Sequence, residues 1–251
     1  MIKKLMTHVV VGYPTLNLTD IVIDALVAGG SSYIELQIPF SDPMADGPLI
    51  MHASDVALAQ GVTVDDIFEK AAQYTRAYPA VKFLFVLYAN TVVRYGIEAF
   101  CKRAHACGIY GVIVPDLPFD TPEGVTLARA SRDAGLTLVP VIAPSTTDAR
   151  LAQICESKQE LIYAASYMGV TGESAKWDHL PAYIDRIRKY TKAQIAVGFG
   201  IKTRDDVDAV VEYADIAVVG SEMVRLIKTH RKSSQDLHNK IKEFTSTLAG
   251  R

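Results

Sequence analysis

A glutamate stands inside one of the most apolar stretches of the chain. Glu35 lies in Tyr33-Ile34-Glu35-Leu36-Gln37-Ile38, where an ionised carboxylate is costly unless it is paired, hydrogen-bonded or put to use. If the stretch is a strand, alternation places Tyr33, Glu35 and Gln37 on one face and Ile34, Leu36 and Ile38 on the other. A partly buried carboxyl suits general acid–base chemistry, because its surroundings tune its proton affinity. Asp46 follows in Pro43-Met44-Ala45-Asp46-Gly47-Pro48, a proline-framed excursion stiff enough to present side chains. Glu35 and Asp46 form a candidate acid–base pair; Asp42, nearby, reads as a solvated loop residue.

A second kind of chemistry is suggested late in the chain by three glycine clusters: Gly169-Val170-Thr171-Gly172, Val197-Gly198-Phe199-Gly200-Ile201 and Val219-Gly220-Ser221. Glycine lets a backbone approach an anion closely, and exposed N–H groups at a helix start bind phosphate without a basic side chain. Gly172, Phe199, Gly200, Gly220 and Ser221 are therefore candidate substrate- and phosphate-binding residues. Asp116, in Val114-Pro115-Asp116-Leu117-Pro118, is a further candidate. Tyr88 and Tyr163 would line an aromatic pocket. The six histidines show no HExxH or other metal-ligand spacing, so no metal is expected. There is no GxSxG elbow and no Walker loop, and Thr203 stands where a GxGxxG motif would need its third glycine.

These residues need a frame. Short apolar, β-branched runs alternate with longer helical patterns. The strand candidates are His8–Val11, Tyr33–Ile38, Lys82–Tyr88, Gly111–Pro115, Leu138–Ile142, Leu161–Ser166, Ile195–Phe199 and Ile216–Val219. Runs such as Phe83-Leu84-Phe85-Val86-Leu87 suit parallel strands covered on both faces. Helical patterns fill the intervals. One starts at Thr19-Asp20 and stops at Gly29-Gly30; another opens with Thr63 and Asp66, spaced as a capping box. Eight βα units in about 250 residues predict one (β/α)8 barrel, the TIM-barrel architecture, spanning residues 1–251 as a single domain. An open doubly wound sheet is the alternative. In such a barrel active sites form at the C-terminal ends of the strands, and the loops after strands seven and eight often bind phosphate. Every candidate above falls at such an end.

Composition sets outer bounds. The 251 residues carry 26 basic and 28 acidic side chains, a net charge of −2. That excludes bulk attraction to nucleic acid. Hydrophobic residues at 49% and charged residues at 22% are ordinary for a folded globular chain. Cys101, Cys107 and Cys155 form no CxxC pair, which fits a reduced, cytoplasmic protein. The apolar run Val9–Val11 is too short for a signal sequence, and no run approaches the roughly 18 residues of a membrane span.

At its motifs the chain resembles the tryptophan synthase α chain. The matching segments are Pro39-Phe40-Ser41-Asp42-Pro43-Met44-Ala45-Asp46-Gly47-Pro48, Tyr88-Ala89-Asn90, Pro115-Asp116-Leu117-Pro118 and the three glycine clusters. They occur in family order and cover nearly the whole chain. The resemblance implies retro-aldol cleavage of indole-3-glycerol phosphate to indole and glyceraldehyde 3-phosphate. It implies a β chain partner in an αββα complex, with pyridoxal phosphate only in that partner and no cofactor in this chain. Glu35 matches the catalytic glutamate, Asp46 the catalytic aspartate and Tyr163 a substrate-contacting tyrosine. Gly172, Gly200, Gly220 and Ser221 match phosphate-binding positions. Three residues depart from the pattern: Gln37 replaces a usual glycine, His8 a usual Phe or Tyr against the indole, and Tyr167 an arginine found in several relatives. With seven residues before His8, the family's helix ahead of strand one is expected to be missing. The loops at 41–48 and 168–178 are expected to be mobile without ligand, since lids in such barrels often close on substrate. Two other functions compete: an α-like subunit that activates a β partner with little lyase activity of its own, and a phosphosugar isomerase or epimerase on the same barrel.

Overall fold

The computed structural model describes residues 4–156, 159–166, 177–198 and 200–251. The strands are β1 (Lys4–Val10), β2 (Tyr33–Gln37), β3 (Lys82–Val86), β4 (Gly111–Ile113), β5 (Thr137–Leu138), β6 (Val141–Ile142), β7 (Leu161–Ala165), β8 (Gln194–Gly198) and β9 (Ile216–Val219). They form one parallel sheet in the order β5-β4-β3-β2-β1-β9-β8-β7-β6. β1 begins at Lys4, earlier than the expected start at His8.

The expected strand Leu138–Ile142 is divided. β5 pairs with β4, and β6 pairs with β7. Between them lies Val139-Pro140, where proline lacks the N–H a ladder requires. Val139 N–H donates to the Val112 carbonyl at 2.9 Å, and the Pro140 carbonyl accepts from Tyr163 N–H at 3.0 Å. The two outer pieces of the sheet are thus consecutive in the chain, and the sheet closes on itself as the barrel reading requires.

Two apolar layers follow from strand alternation. Inside the ring, Met6, Tyr33, Leu84, Ile113, Leu161 and Val218 pack together. Outside it, Ile34, Leu36, Phe83, Phe85 and Val197 meet the helices. Tyr33 in the inner layer fixes the phase of β2, so Glu35 and Gln37 also point inward. At the N-terminal ends of the strands, Tyr33 donates to Gln194 Oε1 and Tyr110 to Glu160 Oε2, both at 3.0 Å. The Lys82 ammonium lies 4.0 Å from the Tyr110 ring centroid.

Hydroxyl caps start many of the helices. Thr15, Thr63, Thr121, Thr147, Thr203 and Ser233 each accept a backbone N–H of the first turn, satisfying a donor that the helix leaves open. The first helix accordingly runs Leu16–Gly29 from Thr15, a turn earlier than expected. Thr19 instead accepts from Gly12 N–H at 3.1 Å. Two helices were not anticipated: Pro48–Ala59 and Ala89–Tyr95.

Candidate active site

The C-terminal mouth of the barrel holds a buried polar cluster. His8 of β1 and Glu35 of β2 are register partners, and His8 Nδ1 lies 2.9 Å from Glu35 Oε2. Both residues are buried. Asp46 is held from two sides: Gln37 Nε2 donates to its Oδ2 at 2.8 Å, and the Tyr88 hydroxyl donates to the same oxygen at 2.9 Å. Tyr88 is itself aimed, because its oxygen accepts from Ala45 N–H at 3.1 Å and its ring stacks on Phe40. Asp116 Oδ1 accepts from Ala89 N–H at 2.8 Å, so Asp116 caps the helix whose start carries Tyr88.

The charges respond to these surroundings. Burial pushes the Asp46 carboxyl up from its ordinary value, against the downward pull of His8, Gln37 and Tyr88. Burial pulls His8 down, but its hydrogen bond to Glu35, the charges of Glu35 and Asp46 and the nearby Gln37 amide outweigh this and leave its proton affinity raised. Burial raises the Tyr163 and Tyr88 hydroxyls, with Asp46 adding to both, so each stays a neutral donor. Among the described residues, His8 Nε2, Glu35 Oε1 and Gln37 Oε1 are buried without a hydrogen-bond partner. Such atoms are rare unless a ligand or water meets them.

One cavity joins this cluster to the glycine-rich rim. Its lining includes His8, Glu35 and Asp46, the apolar side chains of Val86, Ile113 and Val141 with Tyr163, and Gly200, Lys202, Gly220 and Ser221. Gly200 has φ +85°, a left-handed backbone that favours glycine. Gly220 precedes the helix Ser221–His230, which has no side-chain cap; the first N–H groups of such a helix are open to an anion. Glu222 also lines the cavity and pairs with Arg225. Gly198 is required for another reason: a Cβ there would come 1.9 Å from the Tyr163 hydroxyl.

The described residues on either side of 167–176 are tied down. Ser166 donates through both N–H and Oγ to the Gly198 carbonyl, at 3.0 and 2.8 Å. His179 Nε2 lies 2.6 Å from the Ser166 carbonyl. Trp177 donates its indole N–H to Asp206 Oδ1 at 3.2 Å, while Asp206 Oδ2 accepts the N–H groups of Lys202 and Thr203, both at 2.9 Å. Asp206 thereby links Trp177 to the turn that carries Lys202.

The structure brings Glu35, Asp46, Tyr163, Gly200, Gly220 and Ser221 to one cavity. Tyr88 reaches it through Asp46. Asp116 is not among its lining residues. Gly172, Phe199 and Tyr167 lie outside the described residues. Sequence reasoning named His8 and Gln37 only as departures from a pattern. Their inward phase, shared with Glu35, was the available signal. Lys202 and Glu222 adjoin the glycine clusters and were also passed over. Among the described residues no group of three or more His, Cys, Asp and Glu is arranged to hold a metal, and no helix is long and apolar enough to cross a membrane.

A parallel barrel whose mouth holds a buried glutamate and a half-buried aspartate, in one cavity with the start of a helix that has no side-chain cap, has the frame of an α/β-barrel enzyme. A family model described as "Tryptophan synthase alpha chain" matches residues 2–250. The chain belongs to the tryptophan synthase alpha chain family, and with it to the carbon–carbon lyases that cleave indole-3-glycerol phosphate in tryptophan biosynthesis. The tryptophan synthase alpha chain of Syntrophotalea carbinolica is 43% identical, covering 89% of this chain and 87% of the relative. That of Petrotoga mobilis is 38% identical, covering 98% and 95%. Among solved structures, the tryptophan synthase alpha subunit of Legionella pneumophila superposes with a TM-score of 0.90 at 29% identity, covering 99% of this chain and 92% of that one. A chain of Mycobacterium tuberculosis tryptophan synthase gives 0.87 at 31% identity, covering 99% and 91%.

Proposed function

We propose that Glu35 and Asp46 carry out the cleavage of indole-3-glycerol phosphate in this chain. The observation that carries the reading is that both carboxyls line the same cavity as Gly200, Gly220 and Ser221. The substrate has an aromatic ring at one end and a phosphate at the other. Glu35 acts as the general acid that protonates the indole at C3. The Asp46 carboxylate, held by Gln37 and Tyr88, faces the ring N–H and stabilises the positive charge that protonation creates. The C–C bond then breaks, its electron pair returning to the ring, while a base takes the glycerol hydroxyl proton and the carbonyl forms. Val86, Ile113, Val141 and Tyr163 wall the indole. Gly172, Phe199, Gly200, Gly220 and Ser221 hold the phosphate end, with Lys202 beside them. Asp116 acts from outside by fixing the turn at Tyr88.

In this reading residues 1–251 work as one barrel domain without a cofactor of their own. They act in the cytoplasm as α subunit of an αββα complex, whose β chain carries pyridoxal phosphate and consumes the indole. The test is indole release from indole-3-glycerol phosphate by the purified chain, with and without β chain. Glu35→Gln is expected to lower turnover by at least about 100-fold, the scale of general acid–base catalysis, with Tm unchanged. Absence of indole under both conditions, or near wild-type turnover in Glu35→Gln, would overturn the assignment.

A further inference from the structure

We infer that His8 is a catalytic residue of this chain, acting through Nε2 as the general base that takes the glycerol hydroxyl proton while Glu35 serves as the acid. The inference rests on the cleavage reading above. Three observations carry it, and the first is position. β1 lies between β2 and β9, and Thr7 pairs with Val219, so His8 comes level with Gly220. A Cβ on Gly220 would lie 3.9 Å from His8 Cβ, and on the other side His8 is the register partner of Glu35. His8 therefore sits between the acid that serves the indole and the glycine that opens the phosphate helix. That is where the glycerol carbons joining the two ends of the substrate must lie.

The second observation is the division of the imidazole. Nδ1 is occupied at 2.9 Å by Glu35 Oε2, and a carboxyl oxygen there favours the tautomer with the proton on Nδ1. Nε2 is then the acceptor, and among the described residues it is buried with no partner. The third is the division of the carboxyl: Glu35 Oε2 faces His8, and Oε1 is likewise buried and unpartnered. The pair thus offers one proton-donating and one proton-accepting atom in a cavity that both residues line.

The proton inventory closes. Glu35 Oε1–H gives its proton to C3 and becomes carboxylate. The C–C bond breaks, its electrons restore the indole, and the hydroxyl proton passes to His8 Nε2 as the carbonyl forms. The pair changes from neutral imidazole with carboxylic acid to imidazolium with carboxylate, so its net charge stays the same. The new ion pair is stabilised by the bond already present at Nδ1. After the products leave, water entering the cavity returns the Nε2 proton to Oε1. The groups facing His8 are Glu35 on β2, Asp46 and Gln37 beyond it, and Tyr163 on β7, with Lys202 and Glu222 lining the same cavity. Once Glu35 has given its proton to C3, its negative charge joins that of Asp46 in strengthening the imidazole as a base.

The decisive comparison uses His8→Phe and His8→Asn, measured for indole release across pH. Asparagine keeps a donor at the place of Nδ1 but has no basic nitrogen. Both variants are expected to lose about 100-fold in kcat with KM within about 3-fold of wild type, and to lose the acid limb of the pH–rate profile. Wild-type turnover in His8→Phe, or rescue by His8→Asn alone, would overturn the inference, the latter reducing His8 to a positioning residue. Should either variant fail to fold, nitrogen-15 NMR of the wild-type protein decides: neutral His8 is expected to carry its proton on Nδ1, and a proton on Nε2 would overturn the role. Failure of the wild-type chain to release indole would instead remove the cleavage reading itself.

Discussion

Gln37 donates its side-chain amide to Asp46 Oδ2 at 2.8 Å, joining strand β2 to the loop that follows it. One of the residues that depart from the pattern the resemblance implies is thus one of the two that grip the aspartate. A hydrogen bond to a charged group contributes about 1.5–3 kcal/mol. Gln37→Gly, which restores the usual residue, is expected to lower kcat/KM for indole-3-glycerol phosphate by about 10-fold or more. Unchanged steady-state kinetics would show that Tyr88 alone suffices to hold Asp46.

Asp46 itself is stabilising for function and costly for folding. Burial raises its carboxyl above the ordinary value of 3.8, so the folded state disfavours the ionised form relative to the unfolded chain. The contribution is a penalty at neutral pH that fades as pH falls toward the unfolded value, where both states become protonated. Asp46→Asn is therefore expected to match or exceed the wild-type Tm at pH 7, with the difference shrinking toward pH 4, while indole release collapses. Each kcal/mol corresponds to about 2–4 °C in a chain of this size. A lower Tm at pH 7 would contradict the sign.

The ring of Tyr163 occupies the space above Gly198. A Cβ there would meet Tyr163 Oη at 1.9 Å and Cζ at 2.5 Å, so Tyr163→Phe would not relieve the clash. Gly198→Ala is expected to destabilise by about 1–3 kcal/mol, the usual scale of overpacking. In a Tyr163→Ala background the same change is expected to cost much less, and a double-mutant cycle in Tm or denaturant midpoint measures the coupling. Additive effects would place the ring elsewhere.

Asp206 gathers the N–H groups of Lys202 and Thr203 and the Trp177 indole. Partial burial pushes its carboxyl up, but these donors outweigh it and leave the proton affinity lowered. A lowered carboxyl contributes stability that is present above its unfolded value and is lost as pH falls through the lower folded value. Asp206→Ala is expected to lower Tm at pH 7, with the gap to wild type closing in acid. It is also expected to raise KM more than it lowers kcat, since it loosens the turn carrying Lys202. Equal Tm values across pH, or a kcat effect alone, would refute this.

Much of this arrangement was legible in the residues. The alternation in Tyr33–Ile38 placed Glu35 and Gln37 inward, and Tyr33 in the inner layer bears that out. Thr63 and Asp66 do form a capping box. What escaped was non-local. The helix Ala89–Tyr95 has no side-chain cap of its own; Asp116 supplies an acceptor for its first N–H from beyond β4. The helix Pro48–Ala59 starts from Gly47 without a side-chain cap or an acidic first turn; its one local start signal is Pro48 at the first position, which also reads as part of a proline-framed loop. The link between His8 and Glu35 needed the register of β1 on β2, which no single segment encodes.

The interruption at Val139-Pro140 has a mechanical consequence. In the closed ring the split strand stands diametrically across from β1, with three strands on either side. The ladder is divided there, with β5 paired only to β4 and β6 only to β7, so local opening is favoured at the break. The opposite arc, β9-β1-β2, stays continuous. The ring can flex at its seam while the distance between His8 and Glu35 is preserved, which confines compliance to the side of the barrel where no proton has to move.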